Sequence, residues 1–196
     1  MNGIDKTVDP KNEWIQTFTG HAFPIFGSCA FDIRLEDVAH ALSNLCRFGG
    51  HVRRFYSVAQ HSVLVATILA EDRGWTWSSP IVRFGLLHDA AEAYLVDVPR
   101  PIKRSLTEYG PIEKCIMRSV IERFNVRGVG GLYDAEVKLA DNIALMTEHR
   151  DLLCSCERPW GDEFAQYVPR RQVVVPYYPE VAEKLFLAVA ESVGVR

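Results

Sequence analysis

Long apolar runs are absent from this 196-residue sequence, and so is an excess of charge of either sign. No run approaches the roughly 20 apolar residues that a membrane-spanning helix needs, and the polar start of the chain lacks the apolar centre of a signal peptide. Lysine and arginine total 22 against 25 acidic residues, whereas nucleic-acid-binding domains are typically basic. We therefore expect a cytoplasmic protein that binds neither membranes nor nucleic acid.

Cysteines are few, and their distribution also excludes a class of proteins. The five thiols form an odd and scattered set, which does not suit a secreted disulfide framework. Cys154 and Cys156 are close in sequence, but no second pair completes a zinc site. With 48% hydrophobic and 24% charged residues, the composition is that of a globular protein. We expect residues 1–196 to form a single domain.

The pattern of apolar residues predicts a mainly α-helical fold with a short N-terminal β-hairpin. Residues 14–26 alternate apolar and polar side chains around Thr19-Gly20, which is typical of a hairpin. Helical periodicity dominates the remainder, and Ser57, with Gln60 three residues later, predicts a capped helix start. The predicted helices cover 35–48, a segment from Ser57, 79–95, 111–124, 134–153 and 179–193. Residues 154–178 give no clear pattern.

Three of these helices each carry a histidine or an aspartate on an apolar face: His61, then His88 and Asp89, then Asp141. Burying an ionised carboxylate is costly without a partner, and a metal ion is one remedy. Two neutral imidazoles and two carboxylates sum to −2, which balances one divalent cation. Nitrogen and oxygen ligands suit Zn, Mn, Fe, Co or Ni, and Mg is possible. Because such an ion polarises phosphoryl groups and activates water, the pattern favours hydrolysis at phosphorus.

The ordered set His61, His88-Asp89, Asp141 resembles the H…HD…D pattern of the HD-domain metal-dependent phosphohydrolases. Four longer segments resemble small bacterial and phage HD proteins of the YfdR and YfbR type, and phage dATP triphosphohydrolases; they cover 42–51, 55–64, 86–104 and 137–153. The resemblance covers about residues 14–153. It implies a helical HD fold that hydrolyses deoxynucleotides in the cytoplasm of a bacterium or of a phage's host. It also implies a homo-oligomer, a dimer or a hexamer, and a second metal ion bound with the substrate phosphates.

The resemblance also implies roles for single residues. His61, His88, Asp89 and Asp141 match the family's metal ligands. Glu92 matches an acidic residue near the metal and, as a general acid or base, would order water or protonate a leaving group; a helix spacing of four puts it on the same face as His88. Asp97 matches the acid of a G-D-x-P-x-P loop and is a candidate base. Val96 stands where the family has a small residue, which leaves the backbone geometry of this loop open.

Four further positions match substrate contacts in the family. Arg47 matches an arginine on the substrate phosphate, and Lys103 is a second phosphate candidate. Phe48 and Pro101 match positions that bracket the base, although Phe48 could equally be a core residue. A positive funnel would be completed by Arg53, Arg54, Arg100 and Arg104, and the remaining histidines, His21, His40, His51 and His149, are expected to be structural.

The predicted activity is divalent-metal-dependent hydrolysis of a small nucleotide, with dATP converted to deoxyadenosine and triphosphate as the first expectation. A 5′-nucleotidase acting on deoxynucleoside monophosphates would use the same residues. An HD protein that binds nucleotides without catalysis is a third possibility, and a hydrolase of cyclic nucleotides or alarmones is less favoured. The amphipathic helix over 179–193 could pack on the core or on a second subunit.

Overall fold

The computed structural model describes residues 13–126, 128 and 130–196, and it is mainly helical with one short hairpin. Strand β1 (Trp14–Gln16) pairs antiparallel with β2 (Ala22–Pro24), and Thr17 closes the connection by donating its N–H to the His21 carbonyl at 2.9 Å. The predicted fold class, including the hairpin around Thr19-Gly20, is therefore confirmed.

The helices surround a buried central helix, α2, which packs against four others. None of the helices in the described ranges combines the length and apolarity that a membrane span requires. Their bounds are α1 (Leu35–Asn44), α2 (Val58–Thr67), α3 (Pro80–Leu87), α4 (Glu92–Leu95), α5 (Arg100–Lys103), α6 (Tyr109–Arg123), α7 (Leu132–Leu152) and α8 (Pro179–Ser192).

Helix α2 begins where the sequence predicts. The Ser57 hydroxyl accepts the Gln60 N–H at 3.1 Å, which satisfies one free donor of the first turn. The Gln60 side chain does not complete the capping box. Instead it donates to the Val175 carbonyl at 2.8 Å and accepts the Tyr177 N–H at 2.9 Å. Gln60 thus fastens the segment before α8 to the central helix.

Helix α1 ends four residues earlier than predicted, at Asn44. Beyond it the backbone pairs with the segment that leads into α2: Val58 N–H donates to the Leu45 carbonyl at 3.0 Å, and Arg47 N–H donates to the Tyr56 carbonyl at 2.9 Å. These long-range bonds replace the helical ones. The two glycines predicted to end the helix lie in a left-handed turn that follows.

The single helix predicted over 79–95 is interrupted between α3 and α4. The backbone bonds there span three residues: Ala90 N–H donates to Leu87 and Glu92 N–H to Asp89, both at 2.9 Å. A segment with this pattern turns every three residues. Glu92 therefore lies one turn after Asp89, whereas a continuous α-helix would align it with His88.

The last two helices fall close to their predicted bounds. Helix α7 starts two residues before Asp134, so this residue lies in the first turn and does not cap it. Helix α8 packs on α1 and α2 and buries Ala182, Phe186 and Ala190, whereas Val181 is exposed. Of the two predicted uses of α8, packing on the core is the one observed.

Val96, which stands where the family has a small residue in the loop before Asp97, adopts φ 62° and ψ 161°. β-branched residues avoid this region, and such strain costs about 1–3 kcal/mol. We expect Val96→Gly to raise the free energy of unfolding by about 1 kcal/mol, because the relieved strain exceeds glycine's entropic cost of about 0.5–1 kcal/mol. Urea denaturation measures this. Val168→Gly, at an exposed valine without positive φ, should instead lower the stability; equal losses in both variants would contradict the prediction.

Candidate functional site: a metal centre at the floor of a pocket

Three of the predicted metal ligands converge between α2 and the turn that follows α3. One ligand atom from each of His61, His88 and Asp89 lies within 4.8 Å of the other two. Asp89 Oδ2 is 3.6 Å from His61 Nε2 and 3.2 Å from His88 Nε2. Two ring nitrogens and one carboxylate oxygen at these separations could hold a metal ion.

Asp141, the fourth predicted ligand, reaches the same place from α7. Its Oδ1 lies 3.3 Å from His61 Nε2. Its Oδ2 accepts from Lys138 Nζ at 2.7 Å and from Arg100 Nη2 at 3.1 Å. Burial opposes ionisation of Asp141, but the neighbouring His61 and His88 outweigh it and hold the pKa of Asp141 well below its usual range. The charge on Oδ2 is thus compensated by two cations, whereas Oδ1 faces the histidines.

The histidine contacts leave the inward ring nitrogens free for a cation. His88 Nδ1 lies 2.8 Å from the Gly85 carbonyl, to which it must donate, and His61 Nδ1 lies 2.6 Å from Glu148 Oε1. Burial and the Arg47 charge oppose protonation of His61, but the Glu148 carboxylate outweighs them and raises the pKa of His61 to about 9. When each ring is in its neutral form, Nε2 therefore carries the lone pair. Among the described residues, the buried His61 Nε2 has no hydrogen-bond partner, since its approach to Asp141 lacks hydrogen-bond geometry. A divalent cation would satisfy this nitrogen, so the donor set fits a metal ion.

Glu148 contacts His61 of the candidate metal centre, and the sequence pattern did not predict it as a site residue. The carboxylate is fully buried and accepts from Tyr56 Oη at 2.9 Å and from Arg47 Nε at 3.2 Å, besides its contact with His61. Burial opposes its ionisation, but Arg47 and His61 lower the pKa of Glu148 below its usual value. Glu148 lies seven residues after Asp141, two helical turns along the same face, and this spacing could have revealed it.

Arg47, predicted to bind phosphate, is buried and partly committed to the protein itself. Besides its bond to Glu148, its Nη1 lies 3.7 Å from Asp89 Oδ2. Burial alone would lower the pKa of the guanidinium, but the Glu148 and Asp89 carboxylates raise it above its usual value. The Arg47 side chain lies over the Phe48 ring, with 5.3 Å from Cζ to the ring centroid. Arg47 therefore links the metal centre to the adjoining pocket.

A pocket of about 460 Å³ opens over Asp89 and Asp141. Phe48 lines this pocket and is absent from the buried core, so the core role that the sequence left open is not the one observed, while its contact with a base stays a prediction. Arg100 and Arg104 of the predicted positive funnel also line it, whereas Arg53 donates to the Leu153 carbonyl. The remaining predicted catalytic and substrate-binding residues also line this pocket: Arg47, Glu92, Asp97, Pro101 and Lys103.

Two carboxyl groups of the pocket have perturbed acidity. Glu92 is 6% exposed, and its Oε2 has no hydrogen-bond partner in the described part of the chain. Burial, together with the charges of Asp89 and Asp97, raises the pKa of Glu92 well above its usual value. Burial also raises the pKa of Asp97, and Asp89 adds to the effect. A carboxyl group that keeps its proton near neutral pH can serve as a general acid.

Lys103 is already paired inside the protein. Its Nζ donates to the Glu113 carboxylate and lies 4.9 Å from the centroid of the Tyr109 ring. This lysine forms the end of α5, a one-turn helix that begins between Pro99 and Pro101 and that the sequence pattern did not predict. An anion in the pocket would compete with Glu113 for the ammonium group.

The segment over 154–178, which the sequence pattern left undefined, contributes to the pocket as well. Trp160 and Phe164 line it, and Phe164 ends a single 3₁₀ turn, Asp162–Phe164. His149, expected to be structural, packs against Trp160 with the ring centroids 4.3 Å apart and the ring planes tilted by 47°. Because this segment has no apolar periodicity, nothing in the sequence predicted that these two aromatic side chains would line the pocket.

Comparison with known proteins identifies relatives of similar length. No protein-family model matches the chain. It is 40% identical over 139 residues to the Escherichia coli protein named Uncharacterized protein YfdR, a match that covers 71% of this chain and 72% of that protein. It is also 29% identical over 145 residues to an uncharacterized protein of Rhodobacter capsulatus, which covers 70% and 72% of the two chains. The chain belongs to the YfdR family.

Proposed function

We propose that this protein is an HD-type, divalent-metal-dependent phosphohydrolase of small deoxynucleotides, with dATP as its first expected substrate. One observation carries the proposal: His61, His88 and Asp89 converge, with Asp141 beside them, at the floor of a pocket lined by basic side chains. A metal ion next to several cations suits a phosphorylated ligand, since both stabilise charge on phosphoryl oxygens.

The four predicted ligands would hold one divalent cation through His61 Nε2, His88 Nε2, Asp89 Oδ2 and Asp141 Oδ1. Mixed nitrogen and oxygen donors suit Zn, Mn, Co, Fe or Ni, with Mg a further possibility, and substrate phosphates would bring a second ion. When bound, such a cation polarises a phosphoryl oxygen and lowers the pKa of coordinated water.

The surrounding side chains supply binding and proton transfer. Glu92, whose pKa is raised by burial and by the charges of Asp89 and Asp97, would act as the general acid and donate its proton to the leaving oxygen. Asp97 would orient the attacking water and, as the general base, accept its proton. Arg47 and Lys103 would offset phosphate charge together with Arg100, which leaves its contact with Asp141 when an anion enters.

The 5′-nucleotidase alternative would use the same groups on a deoxynucleoside monophosphate, and it would release phosphate in place of triphosphate. We also propose a cytoplasmic homo-oligomer. The family resemblance supports this oligomer, and the molar mass in solution measures it.

Product analysis by chromatography tests the proposal. The purified protein is incubated with Mn, Co, Zn or Mg and a panel of deoxynucleotides and ATP, beside a His88→Ala/Asp89→Ala double variant. Deoxyadenosine and triphosphate from dATP, with no turnover by the double variant, are the expected result. Phosphate released from dAMP alone would favour the nucleotidase. Failure to hydrolyse any nucleotide with any of these metals would overturn the proposal and favour a nucleotide-binding protein without catalysis.

A further inference from the structure

Two aromatic rings line the pocket, and the Arg100 side chain lies between them and the candidate metal centre. The Trp160 and Phe164 rings lie edge to face, with centroids 5.6 Å apart. Arg100 connects Phe164 to the centre, because its Cζ lies 6.0 Å from that ring's centroid while its Nη2 binds Asp141 Oδ2 at 3.1 Å. A ligand that reaches the metal ligands from the pocket therefore passes close to these rings.

The aromatic pair is held in place from α7. Trp160 packs against His149, which lies eight residues, about two helical turns, beyond Asp141 on the same helix. The segment that carries both rings is fixed again at its far end, where Arg170 N–H donates to the Thr147 hydroxyl at 3.0 Å. A wall attached to the helix that bears Asp141 keeps a constant distance from the metal centre.

The pocket is lined by side chains of two useful kinds, aromatic and basic. Neither Trp160 nor Phe164 belongs to the buried core, and both remain partly exposed toward the pocket. The same pocket is lined by Arg47, Lys103 and Arg104, which favour a phosphate, and the Arg100 guanidinium lies between the Phe164 ring and Asp141. A ligand that matches both kinds of side chain carries an anionic phosphate at one end and a flat, uncharged ring at the other.

We infer that Trp160 and Phe164 form the base-binding wall of this pocket, so that the ligand is a nucleotide and not a phosphate ester without a base. A purine or pyrimidine would stack on the exposed face of this pair. The inference rests on the proposed function for the position of the phosphate end, and it assigns to the segment over 154–178 the selection of the other end.

Calorimetric titration at saturating Mn²⁺ tests this inference, with inorganic tripolyphosphate and with a dATP in which a methylene group replaces the 5′ oxygen so that it cannot be hydrolysed. Trp160→Ala is expected to weaken binding of this dATP analogue about tenfold, as base stacking on aromatic side chains predicts, and to leave tripolyphosphate binding unchanged. Trp160→Phe should retain most of the affinity for the analogue. Trp77→Ala, at a tryptophan outside the pocket, is the matched control and should bind both ligands as the unaltered protein does.

An equal loss of affinity for both ligands in Trp160→Ala, or no loss for either, would overturn the inference. So would a wild-type protein that binds the dATP analogue no more tightly than tripolyphosphate. Because these titrations involve no turnover, they are independent of the hydrolysis assay. A protein that discriminates the base through Trp160 but hydrolyses nothing would retain this inference while the proposed hydrolase activity fails.

Discussion

Replacing Asp89 with asparagine is expected to reduce metal-dependent nucleotide hydrolysis by at least about a thousandfold, which corresponds to about 4 kcal/mol of transition-state stabilisation. Asp89 Oδ2 is the atom that approaches both His61 Nε2 and His88 Nε2. Asparagine has nearly the same shape but no charge, so the four-ligand set falls from −2 to −1 and no longer balances a divalent cation. The measurement is initial velocity at saturating metal, together with metal content after gel filtration.

Asp134→Asn is the matched control, since it makes the same chemical change at an exposed position in the first turn of α7. We expect this variant to keep full activity and full metal content. Circular dichroism should show that both variants remain folded. An Asp89→Asn protein with undiminished metal-dependent turnover would exclude Asp89 as a ligand.

Replacing Glu148 with glutamine should destabilise the metal-free protein by about 3 kcal/mol, the scale found when one partner of a buried ion pair is removed. The fully buried Glu148 carboxylate is the ion-pair partner of Arg47 and of His61, and the neutral amide would leave the Arg47 charge opposed only by Asp89 at 3.7 Å. The amide has one acceptor oxygen in place of two, so it cannot accept from Arg47 and at the same time hold the His61 ring through Nδ1. Because such outer contacts orient metal ligands, we expect the affinity for the metal to fall by about 10–100-fold.

Glu136→Gln provides a matched comparison on the same helix. Glu136 forms an ion pair with Arg73 near the surface, at 2.9 Å, and pairs of this kind contribute about 0.5 kcal/mol. Urea denaturation should therefore separate the two variants by about 2 kcal/mol or more, given these two typical costs. Similar losses of stability in both, with metal affinity intact in Glu148→Gln, would show that Glu148 does not support the centre.

Local chemistry explains what the sequence could predict. The Ser57 cap, the proline at the start of α3 and the hairpin around Thr19-Gly20 each depend on neighbours within a few residues, and each is observed. The candidate metal centre was predictable for a related reason. Helical spacing shows which polar residues lie on the apolar faces of three helices. Because apolar faces pack together in the single core of a small domain, these polar residues were expected to meet.

The features that were missed depend on partners far away in the chain. Helix α1 ends at Asn44 because its continuation pairs with the segment before α2, and no local signal competes with Gly49-Gly50 as the predicted stop. Trp160 enters the pocket through a segment without periodicity, pinned to α7 by polar contacts of the kind Arg170 makes. Glu148 is intermediate, since its helical spacing from Asp141 was visible but its partners, Arg47 and Tyr56, were not.

Anomalous diffraction from a crystal grown with Mn²⁺ tests the central claim most directly, because it locates the ion without reference to any substrate. We predict one peak about 2.0–2.3 Å from His61 Nε2, His88 Nε2 and an oxygen of Asp89, with Asp141 Oδ1 as the fourth ligand. The same peak should be missing from crystals of the Asp89→Asn variant. A well-ordered site that stays empty at millimolar Mn²⁺, or a peak that these residues do not ligate, would contradict the assignment of a metal centre.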